Sequence, residues 1–321
     1  MGVRDQDLRN SCRIALNQCL AIKPEETVLI ITDSPLRDIA YAFFEEAQKT
    51  GDRIVLVEMV RRNDNEKEPP AVVAQMMKSV DVIVAPTSRS LSHTAARRAA
   101  SKAGVRAVTL PGVSRETLTR GLNIDYSELS RTTRKLAGLL SAASGARLTC
   151  PLGTDLTLSL RGRSSHFDIG LVHEPGAFSN LPAGEAFIAP VEGTAQGRVV
   201  FRSSLSSLGG LKKSLTIEVE DGEVMSARGE KAAKLMAKIE AAGKPGRNIA
   251  ELGVGTNPKA ILSGRVIEDE KVYGTTHIAI GDNRNFGGKT VAPHHLDGII
   301  VEPTLWLDGK KILTNRKLSL D

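Results

Sequence analysis

The chain has 321 residues, 41% hydrophobic and 25% charged, with a formal net charge of +6. That length can carry two domains with separate cores, and the composition is that of an ordinary globular protein, neither disordered nor fibrous. No apolar run approaches the ~20 residues of a membrane helix, no apolar leader is present at the start, and the basic residues are scattered without an aromatic-interleaved patch, which argues against membrane and nucleic-acid partners.

Aromatic residues make up only 3% of the chain, so Val, Ile, Leu and Ala must build the cores. Apolar positions at helical spacing (Leu8, Cys12, Ile14, Ala15, Cys19, Leu20) predict a helix over 5–21, stopped by Pro24. Cys12, Cys19 and Cys150 show no metal-ligand spacing; Cys12 and Cys19, seven apart in the helical pattern, are read as buried small hydrophobes, and a reducing cytoplasm is the expected setting. Residues 27–32 are continuously apolar and end at Asp33-Ser34-Pro35, the pattern of a strand covered on both faces. An amphipathic helix over 36–49 follows, closed by Gly51. Next come a strand over 53–58, a helix over 70–79, a strand over 80–85, a helix over 92–103, a strand over 106–110 and a long helix over 126–144. This alternation predicts an α/β fold, a doubly wound parallel sheet in residues 1–145. The strand-end loops Asp33-Ser34 and Pro86-Thr87-Ser88-Arg89 lack the glycine spacing of phosphate-binding loops and are read as turns.

The texture changes near Gly145. Short β segments at 147–150, 155–160, 197–201, 215–219 and 222–225 are separated by Gly, Pro, Ser and Asp, with one helix over 230–242. Residues 146–321 are therefore expected to form a mainly β (α+β) domain, curved or barrel-like, that carries the chemistry.

Three of the six histidines, His277, His294 and His295, fall between Tyr273 and Val301. The segments 275–280 and 299–301 read as strands, joined by a loop rich in Gly, Asp and Asn. In His295-Leu296-Asp297, residues two apart share a face of an extended backbone, so imidazole and carboxylate project side by side. His277 arrives from the neighbouring strand, and His294 is expected to point away in a structural role. Two histidines and a carboxylate on one face are the donors of a metal centre. Two isolated acids join them: Glu185 in the block 180–190 and Glu251 in the block 248–258. An acid among Ile, Leu, Ala and Val is poorly solvated unless a cation or hydrogen-bond donor meets it. Gly253 and Gly255 are read as allowing close packing, and Glu268-Asp269-Glu270 as a solvated charge run.

These blocks resemble, in the same order, the metal-binding blocks of the bacterial aminopeptidase T and aminopeptidase S family of dinuclear metallopeptidases. Glu185 follows an Asn-x-Pro turn, Glu251 precedes a glycine-containing apolar segment, and the histidine blocks read His277-Ile278-Ala279-Ile280-Gly281 and His295-Leu296-Asp297. The resemblance implies that Glu185, Glu251, His277, His295 and Asp297 bind one or two divalent ions such as Zn, Co or Mn. It also implies an N-terminal α/β domain leading into the metal-bearing domain, and a homodimer. The function so implied is an aminopeptidase-like hydrolase in which a metal-activated water attacks a peptide and Glu185 or Glu251 takes its proton. The family's tyrosine after the histidine block has no counterpart here, the nearest being Tyr273. The same superfamily includes iron(II) enzymes that open dihydroxypyridine rings, and for that alternative the triad would be His277, His295 and Asp297. A non-catalytic metal- or small-molecule-binding protein is the third reading.

Overall fold

A computed structural model describes residues 3–320 and divides into two compact units: one runs to residue 126 and includes 169–183, the other comprises 127–168 and 184 onward. In the first unit, β1 (Val28–Asp33), β2 (Ile54–Met59), β3 (Val82–Ala85) and β4 (Arg106–Thr109) are parallel, with spatial order β2-β1-β3-β4. Order reverses between β1 and β3, as in doubly wound sheets. Every residue of β1, β3 and β4 is buried, the condition that a continuous apolar run anticipates in a sheet covered on both faces. The helix Arg37–Ala47 buries Ile39, Ala40, Phe43 and Ala47 along one stripe. A helix at Arg115–Leu122 that the apolar pattern did not announce is capped by Ser114, whose side chain accepts from the Thr117 backbone N–H.

The second unit is built on a 13-stranded antiparallel sheet. Its strands are β5 (Gly145–Thr149), β6 (Asp155–Ser159), β7 (His166–Asp168), β9 (Glu185–Ile188), β10 (Gln196–Leu205), β11 (Gly209–Glu220), β12 (Glu223–Gly229), β13 (Ile249–Gly255), β14 (Thr276–Gly281), β15 (His295–Ile300), β16 (Thr304–Leu307), β17 (Lys310–Thr314) and β18 (Lys317–Leu318). The strand β8 (Phe178–Asn180) lies instead in the first unit, parallel to β4. The antiparallel path runs β18-β17-β16-β5-β6-β10-β15-β14-β13-β9-β7, with β11 and β12 branching from β10. The sheet curls over one core, to which Leu156, Val199, Phe201, Ile217, Leu252, Ile278 and Ile300 contribute.

The division differs from a single cut at residue 145 in two places. The helix Tyr126–Ala142 buries Leu136, Ala137 and Leu140 in the core of the second unit, so hydrophobic burial assigns it forward. Residues 169–183 belong to the first unit because β8 completes the parallel sheet. Among the described residues no helix is long and apolar enough to cross a membrane.

Phe201 is fully buried, and a Cβ placed on Gly298 would lie 2.4 Å from its ring. The ring thus fills the space that the glycine leaves. Truncation by Phe201→Ala is expected to destabilise the second unit by about 3–5 kcal/mol, the cost of transfer plus cavity, read as a lowered urea midpoint.

Candidate metal centre

The centre follows from strand register. In β13, β14 and β15 the paired positions include Glu251 opposite Ala279 opposite Asp297, Gly253 opposite His277, and Gly281 opposite His295. On the other side of β13, Gly255 faces Glu185 and Gly253 faces Phe187, and β7 places Asp168 beside Glu185 and His166 beside Phe187. Alternation puts all of these on one face, while Leu252, Val254, Ile278 and Ile280 turn to the core. Small residues sit at the crossing points. Ala279 separates Glu251 from Asp297 without filling the gap. Gly253 gives its space to the imidazole of His277: a Cβ there would fall 1.9 Å from Nε2.

All five sequence-identified residues meet. The Glu251 carboxylate lies between the histidines, accepting from His277 Nε2 at 3.1 Å through Oε1 and facing His295 Nε2 at 3.3 Å through Oε2. His295 Nε2 is 3.0 Å from Asp297 Oδ1. Glu185 Oε2 stands 3.5 Å from His277 Nε2. Ligand atoms of Glu251, His295 and Asp297 all lie within 4.8 Å of one another. The tight set is thus one imidazole and two carboxylates, with His277 set behind Glu251, whereas the sequence pattern paired His277 with His295 and Asp297.

The surrounding hydrogen bonds separate the two histidines. His295 Nδ1 lies 2.7 Å from the Asp282 carbonyl and donates to it, which leaves Nε2 as the atom aimed at the centre. Ser206 Oγ donates to Asp297 Oδ2 at 3.3 Å. A ligand whose far side is anchored in this way is pre-oriented for a metal. His277 Nδ1 is buried without a hydrogen-bond partner among the described residues. His294 turns away, its Nε2 donating to the Gly246 carbonyl at 3.1 Å.

Burial and charge oppose each other here. Burial alone would lower the His277 pKa, but the hydrogen bond to Glu251 and the charges of Glu185, Glu251 and Asp297 push it up to about 9. Burial likewise opposes the proton on His295, yet Asp297 and Glu251 hold it well above its ordinary value. Burial would raise Glu251 and Asp297, but their histidine partners keep both below the usual carboxylate range. Glu185 goes the other way: burial pushes its pKa up to about 8 against the pull of Lys271.

The sequence pattern missed Lys271 and misassigned its neighbours. Glu268, Asp269 and Glu270 are buried, not solvated. Asp269 accepts from the hydroxyls of Ser203 and Ser204 and from the backbone of Ser263 and Gly264. Lys271 is fully buried and donates to Glu185. Four consecutive charged residues look like a surface loop because a linear pattern cannot show which distant groups will neutralise them.

An aromatic wall adjoins the centre. The ring of Phe286 meets His295 edge-on with centroids 5.6 Å apart, Phe187 meets Phe286 at 5.6 Å, and His166 stacks on Phe187 at 5.8 Å. His166 is exposed and both phenylalanines are half-buried.

A family model described as NicX, 2,5-dihydroxypyridine 5,6-dioxygenase, matches residues 7–319. The chain belongs to this family. Within the NicX family, the 2,5-dihydroxypyridine 5,6-dioxygenase of Pseudomonas putida KT2440 is 24% identical over 251 residues, covering 74% of this chain and 70% of that protein. A solved structure of 2,5-dihydroxypyridine dioxygenase from the same organism superposes with TM-score 0.83 at 20% identity, covering 99% of this chain and 98% of that one. Aminopeptidase AmpS of Bacillus subtilis 168 is 24% identical over 152 residues, 45% of this chain and 37% of that protein. Wild-type AmpT from Thermus thermophilus superposes with TM-score 0.73 at 16% identity, covering 98% of this chain and 99% of that one. NicX and aminopeptidase proteins thus share a superfamily and a two-domain α/β architecture with this chain.

The donors fit a divalent metal. Glu185 Oε2 is buried and accepts no hydrogen bond among the described residues, and Glu251, His295 and Asp297 each offer a ligand atom within 4.8 Å of the others. Carboxylates mixed with imidazole suit Fe, Mn or Zn.

Gly253→Ala is expected to displace His277 and weaken divalent-metal affinity about 10–100-fold, as losses around metal ligands do, measured by calorimetric titration. In the metal-free protein, His277 rises from its ordinary 6.5 to about 9. Its stabilisation is therefore complete below pH 6.5 and lost as pH climbs through 9. Thermal unfolding between pH 6 and 9 should show that decline, and His277→Gln should make it shallower, leaving the part that His295 and Glu185 contribute.

Proposed function

We propose that this chain is an iron(II)-dependent dioxygenase that opens the ring of a hydroxylated pyridine or a similar hydroxylated aromatic. The observation that carries this reading is the aromatic wall His166–Phe187–Phe286, which ends against His295 at the tight donor set. A flat ring can stack or pack edge-on there, with its hydroxyl turned towards the carboxylates. Membership of the NicX family supports the same substrate class. Iron(II), when bound, supplies the activation of dioxygen and leaves coordination positions open for reactants.

The chain's own residues supply the rest. Glu251, His295 and Asp297 hold the ion, with His295 oriented by the Asp282 carbonyl and Asp297 by Ser206. His277, fixed over Gly253, keeps Glu251 in place through its Nε2–H. Glu185 Oε2 is placed to accept the proton of a substrate hydroxyl: it has no hydrogen-bond donor of its own among the described residues, and burial pushes its pKa up to about 8. The phenylalanine rings exclude water from one side of the ring.

A second reading, aminopeptidase-like hydrolysis, draws on the likeness to AmpS and AmpT. In it, zinc, cobalt or manganese would acidify a bound water and Glu185 or Glu251 would take the proton. It leaves the aromatic wall without a role, and is favoured less for that reason.

Protein reconstituted anaerobically with iron(II) and then given 2,5-dihydroxypyridine and other hydroxypyridines should consume one dioxygen per ring lost, followed by an oxygen electrode and ultraviolet absorbance. Release of N-terminal amino acids from peptides by the zinc, cobalt or manganese form, with no oxygen uptake by the iron form, would sink the dioxygenase reading. Phe286→Ala should raise KM about 2–10-fold with a smaller change in kcat, the worth of an aromatic pair at ~0.5–1.5 kcal/mol.

A further inference from the structure

Beside the tight donor set lies a second cluster of acids that the proposed reaction uses only through Glu185. The Lys271 side chain is 1% exposed, and its ammonium donates to Glu185 Oε1, lies 3.0 Å from Glu270 Oε1 and sits 3.7 Å from Asp168 Oδ2. An ammonium carries three hydrogens, and three carboxylates surround this one. The arrangement is built into the backbone. Gly255 has no side chain, and a Cβ there would fall 2.2 Å from the Val272 carbonyl and 2.8 Å from that of Glu270. The 270–272 segment therefore rests directly on the sheet, bringing Lys271 onto the face that carries Asp168 and Glu185.

We propose that the Lys271 ammonium occupies the place of a second metal ion, so that the centre takes one divalent cation and not two. This rests on the reading of Glu251, His295 and Asp297 as a metal site, and it specifies the metal count of that site. Three hard oxygen donors around one position are what a divalent ion of the Mn²⁺ or Mg²⁺ type binds. Glu185, which a two-ion centre would need as a ligand, already has one oxygen committed to the ammonium. Its other oxygen lies beside His277 and is the only part of the carboxylate left for substrate or proton. A neutral side chain at position 271 would leave the buried Glu185 and Glu270 and the half-buried Asp168 without that cation, and a second divalent ion would then meet all three.

The test uses Mn²⁺ alone as the probe, by equilibrium dialysis with elemental analysis of the full chain and by electron paramagnetic resonance. Wild type is expected to bind one ion per chain, with the spectrum of an isolated ion. Lys271→Met is expected to bind two, with the altered lines of a spin-coupled pair. Two ions in wild type, or one in a folded Lys271→Met, overturns the proposal while leaving the metal centre standing. No ion in wild type overturns the metal centre itself, and the proposal with it. If circular dichroism shows Lys271→Met unfolded, Glu185→Gln decides. One ion retained supports the assignment of Glu185 to the lysine. Loss of the ion overturns it.

Discussion

Five carboxylates, those of Asp168, Glu185, Glu251, Glu270 and Asp297, are gathered about one face of an antiparallel sheet, and this is the constraint on which the second unit depends. Buried anions at such spacing repel one another and lose their hydration, so each must be met by a cation, a proton or a hydrogen-bond donor. The protein uses all three. Lys271 serves Glu185, Glu270 and Asp168, imidazoles serve Glu251 and Asp297, and Glu185 and Glu270 have their pKa values raised by burial. What remains is a close set of donors, Glu251, His295 and Asp297, whose ligand atoms lie within 4.8 Å of one another. The opposite face of the same strands is an ordinary aliphatic core.

Part of this was legible in the sequence, and the reason is period. The alternation of His295-x-Asp297 and the glycine-rich turn before it specify two antiparallel strands sharing a face, and β14 and β15 pair in that register. The buried runs of β1 and β3 specify a covered parallel sheet in the same direct way. Glu185 and Glu251 stood out because acids among aliphatic residues require a partner. The rest depends on contacts between distant segments. The strand β8 is only Phe178–Asn180, too short for a periodic signal, and it joins the parallel sheet only because β4 offers it an edge. Similarly, 268–271 carries four charges in a row, and distant groups such as Ser203, Ser204, Asp168 and Glu185, scores of residues away, help make that run tolerable inside the protein. The aromatic wall draws His166, Phe187 and Phe286 from three separate blocks, which no local pattern connects.

Small residues decide which groups can meet. A side chain larger than alanine at position 279 would stand between Glu251 and Asp297 in the cross-strand row. A Cβ at 253 or 255 would occupy the space of the His277 ring or the 270–272 backbone. The histidine and the lysine therefore depend on Gly253 and Gly255, two residues apart on one strand, and the conformational cost of placing glycine in a strand interior is accepted where a side chain needs the room.

The chemistry of such a face is set by how its positive charge is divided. Two ions held side by side can clamp both the attacking and the leaving oxygen of a hydrolysis. One ion with a fixed ammonium cannot, because an ammonium offers hydrogen bonds but no open coordination position. It can, however, hold a carboxylate in place beside the reactant. That division suits a reaction in which a flat substrate and a second small molecule must both approach one metal, and the aromatic wall next to His295 supplies the surface along which the flat one would lie. Fold likeness extends to both the dioxygenase and AmpT, so the fold alone does not choose between them. On the reading proposed above, Lys271 and the rings make the choice.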